Sequence, residues 1–280
     1  MMPPANRHAM FRATIIISIY KDVEALDLIL HALSLQTCRD FEILVSEDGE
    51  DPSVAAYMAG HISSSVQHLT QPDIGFRKNR ALNRAILAAR SDNLIFIDGD
   101  CVPHPAFIES HLKVVKPGVT ATGRRVELGP DFSTRLRKHQ LELADFVRPM
   151  NYLRSIPALK RDGTKNYEYG LHYPLLQWLS EKRTIRLVGC NLSIHRDDLL
   201  KINGFNEEYQ SPGIGEDSDI DWRLQMAGVT IRNVKFSAVQ YHLYHPRSYT
   251  VSDRNMQLLR ESQQTGRYIC THGISEHQRN

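Results

Sequence analysis

The sequence predicts a mixed α/β fold in which a mostly parallel central sheet is flanked by helices. Up to about residue 115, short β-branched apolar segments alternate with segments whose apolar residues recur at helical spacing. The composition agrees, because 280 residues with 41% hydrophobic and 24% charged side chains suit one large or two small globular domains. We find no internal repeat and no low-complexity segment, which excludes solenoid and disordered chains.

The predicted elements follow one another in a regular order. Residues 13–20 are β-branched and apolar, as in a buried strand, and residues 23–35 then repeat Leu26, Ile29 and Leu33 at helical spacing. In the same way the sequence predicts strands at 41–45, 66–69 and 93–97 and helices at 53–60 and 78–89. Beyond residue 185 it predicts helices at 196–202 and from Glu216, strands at 231–234 and 238–241, and a helical tail at 252–268.

The segment 124–165, called the basic segment below, has a different character. It carries ten basic and five acidic residues, and its loosely helical spacing is interrupted by Pro149, Pro157 and Gly163. We interpret it as an insertion, extending to about residue 185, rather than as a second core. Two alternatives stay open at this point: a solvated surface segment, or a patch that faces an acceptor or a membrane surface.

Charge and cysteine usage limit the classes of protein. The formal net charge is +2, so no global field favours nucleic acid. The four cysteines are scattered without a CxxC pair, which excludes a disulfide framework or zinc ribbon and suits a reducing cytosol. No apolar run approaches the ~18 residues of a membrane span, and no secretory signal is apparent. We therefore expect a cytoplasmic protein.

Asp98-Gly99-Asp100 is the sharpest chemical signal in the sequence. It ends an apolar strand, where alternate side chains point the same way, so both carboxylates can converge on one ligand. The glycine would let a bulky anion approach the backbone. Two carboxylates at the carboxyl end of a parallel strand suit Mg²⁺ or Mn²⁺ that neutralises a diphosphate, although Asp-Gly is also common in plain turns.

Two further groups lie at predicted element ends. Asp48 follows the second strand, where a carboxylate could accept a hydrogen bond from a base or ribose; an ordinary turn is the alternative. Arg77, Lys78 and Arg80 open a helix against its macrodipole, which hints at an anion or a base between them, or else at a plain solvated helix start.

The last part of the chain adds an acidic helix start and two histidines. Four carboxylates lie within residues 216–221, more than capping requires, and Asp217 shares a helical face with apolar residues. His242 and His245 follow a late strand, and imidazole suits Mn²⁺ beside carboxylates, although lone histidines are more often structural. The GxxxxGK[ST], GxGxxG and GxSxG motifs are absent, which disfavours P-loop ATPases, Rossmann dehydrogenases and α/β-hydrolases.

Taken in order, these segments resemble the family 2 inverting glycosyltransferases, which have the GT-A fold and use nucleotide sugars. The resemblance covers residues 13–246 and is nearest to the galactosyltransferase-like and chondroitin-polymerase-like branches. The matching segments are Ile15-Ile16-Ile17-Ser18-Ile19-Tyr20, Leu35-Gln36-Thr37, Val45-Ser46-Glu47-Asp48-Gly49, Gly75-Phe76-Arg77-Lys78-Asn79-Arg80, Asp98-Gly99-Asp100, Gly189-Cys190-Asn191-Leu192-Ser193, Gly204-Phe205-Asn206 and Gly215-Glu216-Asp217. The chain departs from the family where Ser18-Ile19-Tyr20 replaces Pro-Thr-Tyr and Glu47 replaces the first Asp of Asp-Asp-Gly.

The resemblance implies a role for each matching residue. The donor nucleotide would be held by Ser18, Tyr20, Asp48, Asp98 and Gly99, with help from Arg77 or Arg80. The resemblance makes Asp100 the direct metal ligand, with Asp98 as a ribose or metal contact. A late histidine, His242 or failing that His245, would complete the metal shell. Glu216 would contact the acceptor and Asp217 would be the general base.

We therefore expect a glycosyltransferase domain at residues 13–250, between a tail at 1–12 and a helical tail at 251–280. The expected reaction moves a hexose or N-acetylhexosamine from a UDP-sugar to a glycan or lipid-linked acceptor, with Mn²⁺ or Mg²⁺ as cofactor. A lipid-linked acceptor would bring the chain to the inner face of a membrane. The alternatives are a sugar nucleotidyltransferase, which usually has a glycine-rich first loop that residues 18–22 lack, and an inactive sugar-nucleotide-binding module.

Overall fold

A computed structural model describes residues 10–180, 185–213, 216–246 and 252–278 of the chain. The strands within these residues are β1 (Ala13–Ile19), β2 (Phe41–Glu47), β3 (Val66–Leu69), β4 (Asn93–Asp98), β5 (Cys101–Pro103), β6 (Val119–Thr122), β7 (Val126–Glu127), β8 (Leu192–His195), β9 (Thr230–Asn233) and β10 (Gln240–His242). The helices are α1 (Val23–Ser34), α2 (Pro52–Ala59), α3 (Lys78–Ala88), α4 (Phe107–Leu112), α5 (Pro130–Arg137), α6 (Leu143–Phe146), α7 (Pro149–Arg161), α8 (Pro174–Ser180), α9 (Arg196–Lys201), α10 (Glu216–Met226) and α11 (Asp253–Thr265). Two short 3₁₀ helices are also present, Tyr167–Tyr169 and Ile274–His277.

Seven strands form the central sheet, in the order β3-β2-β1-β4-β8-β6-β9. β1 pairs in parallel with β2 and β4, and β2 pairs in parallel with β3. β8 runs antiparallel to both β4 and β6, and β9 is parallel to β6. The sheet is therefore mostly parallel, as the sequence predicts, with β8 as its antiparallel member.

β1 lies inside the parallel half of the sheet and is covered on both faces. Ile15 and Ile17 pack in the larger core with Leu26 of α1, while Ile16 faces a second core that contains Ile86 of α3. Helices on both faces bury nearly all the side chains of this strand, and Ser18, near its carboxyl end, is the half-buried exception. This explains why the strand reads as a continuous apolar run instead of an alternating pattern.

A second, three-stranded sheet follows the end of β4 and has the order β5-β10-β7. β10 pairs antiparallel with β5, and His242 lies opposite Cys101 in that register. β10 also pairs in parallel with β7. This small sheet therefore holds a late part of the chain beside the turn that follows β4.

The basic segment contributes three helices, α5, α6 and α7, to the main fold. Its apolar side chains Phe132, Leu136, Phe146 and Leu159 are buried in the same core as β1 and α1. The solvated-surface alternative is therefore wrong for this face of the segment. The sequence pattern did not indicate these helices because it is interrupted by prolines. Pro130 and Pro149 lie in the first turns of α5 and α7, where a backbone N–H would have no partner within the helix, and of the three prolines only Pro157 lies inside a helix.

The other predicted elements form close to where their patterns indicate, and α9, α10 and β9 begin within a residue of expectation. The short elements that the sequence patterns do not predict include β5, β6, β7, α4 and α8, which have two to seven residues each. Such short segments carry too little periodicity to be recognised, since their partners decide their conformation. No helix in the described part of the chain is long and apolar enough to cross a membrane.

Candidate active site

The carboxyl ends of β1, β2 and β4 open onto one cleft, which has two connected halves. The first half has a volume of about 570 Å³ and includes Tyr20, Asp48 and Arg137. The second half, of about 670 Å³, includes Arg125 and Asp217. Six residues line both halves at their junction: Phe76, Lys78, Asp98, Asp100, Pro212 and His245. Strand-end residues that are distant in sequence therefore surround one cavity, as open α/β sheets favour.

The Asp98-Gly99-Asp100 turn packs directly against the end of β1. The N–H of Gly99 donates a hydrogen bond of 2.7 Å to the carbonyl oxygen of Ser18. A Cβ atom on Gly99 would lie 2.9 Å from that oxygen and 3.1 Å from the Cα atom of Ile19. The glycine is thus required by the approach of the protein's own backbone, whereas the sequence analysis attributed it to the approach of an anion.

Asp100 lies between the two late histidines. The Nε2 atoms of His242 and His245 are each 3.3 Å from Oδ2 of Asp100. One ligand atom from each of the three residues fits within 4.8 Å of the others, so the group could hold a metal ion. One carboxylate oxygen and two imidazole nitrogens are a donor set that suits Mn²⁺.

The histidines also control the charge of Asp100. Burial raises the pKa of this carboxyl, but hydrogen bonds from His242 and His245 outweigh burial and hold it well below its ordinary value. The hydrogen bond to Asp100 in turn raises the pKa of His245. The carboxylate is therefore ionised and ready to bind a cation at neutral pH.

Asp98 has a different partner from Asp100. Its Oδ1 lies 2.8 Å from Nζ of Lys78, which comes from the first turn of α3. Among the described residues, Asp98 is not part of the group whose ligand atoms already converge, and its expected role as a ribose or metal contact stays a prediction. The Lys78 ammonium instead balances this carboxylate where the two halves of the cleft meet.

The residues expected to hold the nucleotide line the first half of the cleft. Ser18 is half-buried and Tyr20 is 55% exposed, with its hydroxyl 3.3 Å from Asp73. The carboxylate of Asp48 accepts two hydrogen bonds of 2.7 Å, from Nε2 of Gln71 and from the backbone N–H of Arg77. Asp48 therefore also shapes the loop that leads into α3.

The structure places Arg77 and Arg80 away from the cleft, so their expected help in holding the donor has no support from its lining. Both residues line a separate depression of about 340 Å³, together with Glu207 and His272. The described lining of the cleft includes neither arginine. The helical pitch is the reason, because side chains one position before Lys78 and two positions after it point away from its face of the helix. Of the three cations that open α3, Lys78 is the one that reaches the cleft.

Asp217 lies in the first turn of α10 and faces the second half of the cleft. Its carboxylate accepts a hydrogen bond from the backbone of Gly189. A Cβ atom at position 189 would fall only 2.2 Å from Oδ1 of Asp217, so the glycine leaves the space that the carboxylate occupies. Gly215 and the side chain of Glu216, the competing candidate for the base, lie outside the described residues.

The surroundings of Asp217 favour its protonated form. Burial raises the pKa of this carboxyl, and the charge of Asp98 adds to the effect. The charges of Lys78 and Arg125 and the Gly189 hydrogen bond oppose it without cancelling it. A carboxylate with a raised pKa is a stronger base than an exposed one, which is what general-base chemistry needs.

Arg137 is a cleft residue that the sequence analysis did not identify. It comes from α5 in the basic segment, and its Nη1 and Nη2 atoms lie 2.7 and 2.8 Å from the two carboxylate oxygens of Asp22. Asp22 in turn caps α1 through the backbone N–H of Ala25. No sequence signal marks this pair, because 115 residues separate its members. The basic segment thus reaches the first half of the cleft.

Two family models together match most of the chain. Residues 14–173 match the model described as glycosyl transferase family 2. Residues 174–246 match the N-terminal domain of galactosyltransferase. The first match ends shortly after the basic segment, and the second contains Asp217, His242 and His245. Each match therefore covers part of the residues that line the cleft.

Similar proteins include polysaccharide synthases. The chain is 23% identical to the chondroitin synthase of Escherichia coli over 261 residues, which are 86% of this chain and 36% of that protein. It is 22% identical to the hyaluronan synthase of Pasteurella multocida over 269 residues, 90% of this chain and 26% of that protein. The validoxylamine A glucosyltransferase of Streptomyces hygroscopicus subsp. jinggangensis is 24% identical over 81% of this chain and 54% of its own length. The chain thus spans only about a quarter to a half of these relatives.

Two solved structures share the fold. GalNAc-T7 with UDP, GalNAc and Mn²⁺ superposes with a TM-score of 0.59 at 13% identity, over 91% of this chain and 48% of that one. The mannosyltransferase PcManGT of Pyrobaculum calidifontis, in complex with GDP-Man and Mn²⁺, gives a TM-score of 0.54 at 15% identity, over 94% and 64% of the two chains. At 13% and 15% sequence identity, the likeness to these two structures shows a shared fold and nothing further.

Proposed function

The chain belongs to glycosyl transferase family 2 and has the GT-A fold, and from that premise we propose that it is a metal-dependent inverting hexosyltransferase. The proposed reaction moves a hexose or N-acetylhexosamine from a UDP-sugar to a glycan or lipid-linked acceptor. One observation carries the proposal: the cleft has two halves that meet at Asp100 and His245, and Asp217 lines only the second half. Two substrates can therefore meet at the junction.

The first half of the cleft suits the donor. Tyr20 offers an exposed ring for a base, and Asp48 and Asp98 offer carboxylate oxygens to ribose hydroxyls. Arg137 and Lys78 are the cations that line this half, and guanidinium and ammonium groups bind phosphate oxygens. The choice of UDP is supported by the UDP in the GalNAc-T7 structure.

Asp100, His242 and His245 would hold the metal ion, since their ligand atoms converge and Asp100 is ionised. When bound, a divalent cation supplies charge neutralisation for the leaving diphosphate. The Mn²⁺ in both structural relatives supports this part of the proposal.

The second half of the cleft suits the acceptor. Asp217 would accept the proton of the attacking hydroxyl as that oxygen bonds to the anomeric carbon and the diphosphate leaves from the opposite face. Attack opposite the leaving group inverts the anomeric configuration. Lys78 and Asp98 form an ion pair at the junction, where they would orient the donor between the two halves.

The direct experiment is a screen of UDP-sugars with Mn²⁺ in which UDP release is measured with and without candidate glycan acceptors. We expect UDP release from one donor, accelerated by an acceptor, and a product with inverted anomeric configuration. A nucleotidyltransferase would release pyrophosphate from a nucleoside triphosphate and a sugar phosphate instead. Binding of UDP-sugars without any release would identify an inactive binding module.

The position of Arg137 leads to a prediction about donor affinity. Arg137→Gln removes a charged donor from the first half of the cleft, so we expect UDP to bind about tenfold more weakly, the usual effect of losing one charge-assisted hydrogen bond. Calorimetric titration of UDP in the presence of Mn²⁺ measures this change, and the acceptor KM should stay nearly constant.

Arg135→Gln is the matched control for this prediction. Arg135 lies two residues earlier on α5, pairs with Asp131 at 3.6 Å and is outside the described lining of the cleft. Its replacement should leave UDP binding unchanged. If both variants bind UDP as the wild type does, or if only the acceptor KM changes, the basic segment has no part in the donor site.

We also propose that the protein is cytoplasmic, with peripheral contact at the inner face of a membrane. The four free and buried cysteines support a reducing compartment. For the membrane contact, the support comes from α7, which exposes Met150 (59%) and Leu153 (44%) beside the exposed Arg154. An exposed apolar and basic helix face is attracted to an anionic membrane surface.

Co-sedimentation with vesicles tests the membrane contact. We expect binding to vesicles with anionic lipids, less binding at high salt, and a clear reduction in the double variant M150S/L153S. Equal recovery of wild type and variant with neutral and anionic vesicles would contradict the proposal.

A further inference from the structure

A buried glutamine supports one of the residues that line the first half of the cleft. Gln71 follows β3 and is 3% exposed, and its backbone N–H donates a hydrogen bond of 3.3 Å to the carbonyl oxygen of Gly49, in the turn after β2. Gln71 itself is not part of the described lining of the cleft. Any influence of this side chain on the reaction must therefore pass through the residues that it contacts.

The side-chain amide of Gln71 bridges two acceptors. Its Nε2 atom donates hydrogen bonds to Oδ1 of Asp48 (2.7 Å) and to the carbonyl oxygen of Arg77 (3.1 Å). Because a carboxylate and a carbonyl oxygen only accept, the NH₂ group of the amide must be the part that faces them. Oε1 of Gln71 is buried and has no hydrogen-bond partner among the residues that the structure describes. The fold thus tolerates an unpaired buried acceptor while the amide holds Asp48 and Arg77, and such an exception asks for a functional reason.

Gln71 and Asp48 together hold the backbone of Arg77. The N–H of Arg77 donates a hydrogen bond of 2.7 Å to Oδ2 of Asp48, while the carbonyl oxygen of Arg77 accepts from Gln71. Arg77 is the N-cap residue of α3, and its own side chain makes no capping hydrogen bond. The two buried side chains therefore fix the position of the residue at which α3 begins.

The next residue is Lys78, the cation of α3 that reaches the cleft. Its Nζ atom lies 2.8 Å from Oδ1 of Asp98, where the two halves meet. Because the backbone conformation at a helix start decides which way a side chain points, the hold on Arg77 also directs Lys78 into the cleft. Gln71 thus contacts one residue of the proposed donor site, Asp48, and is a single peptide group away from another, Lys78.

We propose that Gln71 is a positioning residue for the donor nucleotide. It keeps the Asp48 carboxylate and the Lys78 ammonium where ribose hydroxyls and phosphate oxygens can meet them, and it does not touch the nucleotide itself. Groups that are held in place before binding lose less freedom on binding, so they bind a ligand more tightly. The inference rests on the proposed function, because it needs a nucleotide in the first half of the cleft.

Gln71→Met tests this role, because methionine has a similar length and no hydrogen-bond donor. We expect UDP to bind about tenfold more weakly in the presence of Mn²⁺, the effect of losing one hydrogen bond to a charged group. The KM of the UDP-sugar should rise by a similar factor, while the KM of the acceptor stays constant. Gln67→Met is the matched control, since Gln67 on β3 is half-buried and outside the described cleft lining. Its UDP binding should equal that of the wild type.

A double-variant cycle tests whether Gln71 acts through Lys78. In a Lys78→Met background, Gln71→Met should weaken UDP binding by less than about threefold, because one of the two groups that it positions is already gone. Equal factors in both backgrounds would show that the effect does not pass through Lys78, and would contradict the proposal.

Gln71→Glu separates positioning from packing. This variant keeps the shape of the side chain but replaces the NH₂ group with an oxygen, beside an Asp48 oxygen that now lies 2.7 Å from Nε2. Two carboxylates cannot share this place without repulsion, so we expect UDP to bind even more weakly than in Gln71→Met. Thermal denaturation without nucleotide identifies the temperatures at which each variant is folded, and binding is compared there.

The outcomes distinguish this inference from the proposed function. If folded Gln71→Met and Gln71→Glu bind UDP as the wild type does, or if a lower melting temperature is their only change, Gln71 is a purely structural residue and the proposal is wrong. If the wild type itself binds no UDP, the proposed function fails, and this inference falls with it.

Discussion

Replacing Asp217 with asparagine will lower sugar transfer roughly 10²–10⁴-fold, the usual effect of losing acid–base help, while the binding of UDP-sugar and Mn²⁺ survives. A sugar hydroxyl is a very weak acid, so its proton must leave as the new bond forms. The carboxylate of Asp217 lies in the second half of the cleft, and none of the groups in the proposed metal site depends on it. Single-turnover transfer and UDP titration of the same sample measure the two effects separately.

The raised pKa of Asp217 gives this prediction a pH signature. The wild-type kcat/KM should fall as the pH drops through that raised pKa, at a higher pH than the value near 3.9 of an exposed aspartate would give. The asparagine variant should lack this acidic limb.

The same pKa shift predicts the direction of the stability change. The folded state binds the Asp217 proton more tightly than the unfolded state, so the ionised carboxylate opposes folding above the folded-state pKa, and the opposition fades as the pH falls. At neutral pH the melting temperature of Asp217→Asn should therefore equal or exceed that of the wild type. Lost transfer together with preserved stability would distinguish a base from a structural residue.

Three further variants make the assignment specific. Asp221→Asn is the matched control, because Asp221 lies one turn later on α10 and bonds Gln225 at 2.9 Å; its transfer rate should stay near normal. Gly189→Ala should displace the Asp217 carboxylate and cost about 10²-fold in rate, as small misplacements of reacting groups do. If Glu216→Gln loses transfer while Asp217→Asn retains it, or if the product keeps the donor's anomeric configuration, the assignment is wrong.

Asp100→Asn is the second variant with a large expected effect. Loss of the carboxylate between His242 and His245 removes the only acidic member of the described metal-binding group. We expect transfer to fall about 10³-fold or more, because a metal contributes several kcal/mol of charge stabilisation. The stabilisation of the fold by UDP should also lose its dependence on Mn²⁺, which a thermal shift assay measures without any turnover.

The histidines and a remote carboxylate complete this experiment. His242→Ala and His245→Ala, tested separately, should each weaken Mn²⁺ binding by at least the roughly 10–100-fold that loss of an outer-shell partner costs. Glu109→Gln, in α4 and outside the described cleft lining, should leave the metal dependence unchanged. Full activity in excess EDTA, or unchanged metal dependence in both histidine variants, would show that the three residues form a structural cluster.

Much of the cleft could be predicted from sequence because parallel strands end at one edge of their sheet. Asp48 follows β2 and Asp98 is the last residue of β4, so the local patterns that predict these two strands also predict that the two carboxylates lie near each other. The buried face of the helix that begins at Glu216 could also be predicted, because the helical spacing of its apolar residues is visible within that segment. The sequence did not predict which cation at the start of α3 points into the cleft. In the structure Lys78 lines the cleft, whereas Arg77 and Arg80 line another depression.

By itself the sequence determined the α/β class, the order of most strands and helices, and which strand ends carry carboxylates. Hydrophobic periodicity and turn-forming residues are local properties, so they can be recognised in a single sequence. Only the tertiary structure decided which distant groups meet: the pairing of β5 with β10 brings His242 beside Asp100, and the packing of α5 on α1 brings Arg137 to Asp22. These contacts depend on strand register and on helix packing across more than 100 residues, and no local pattern records them.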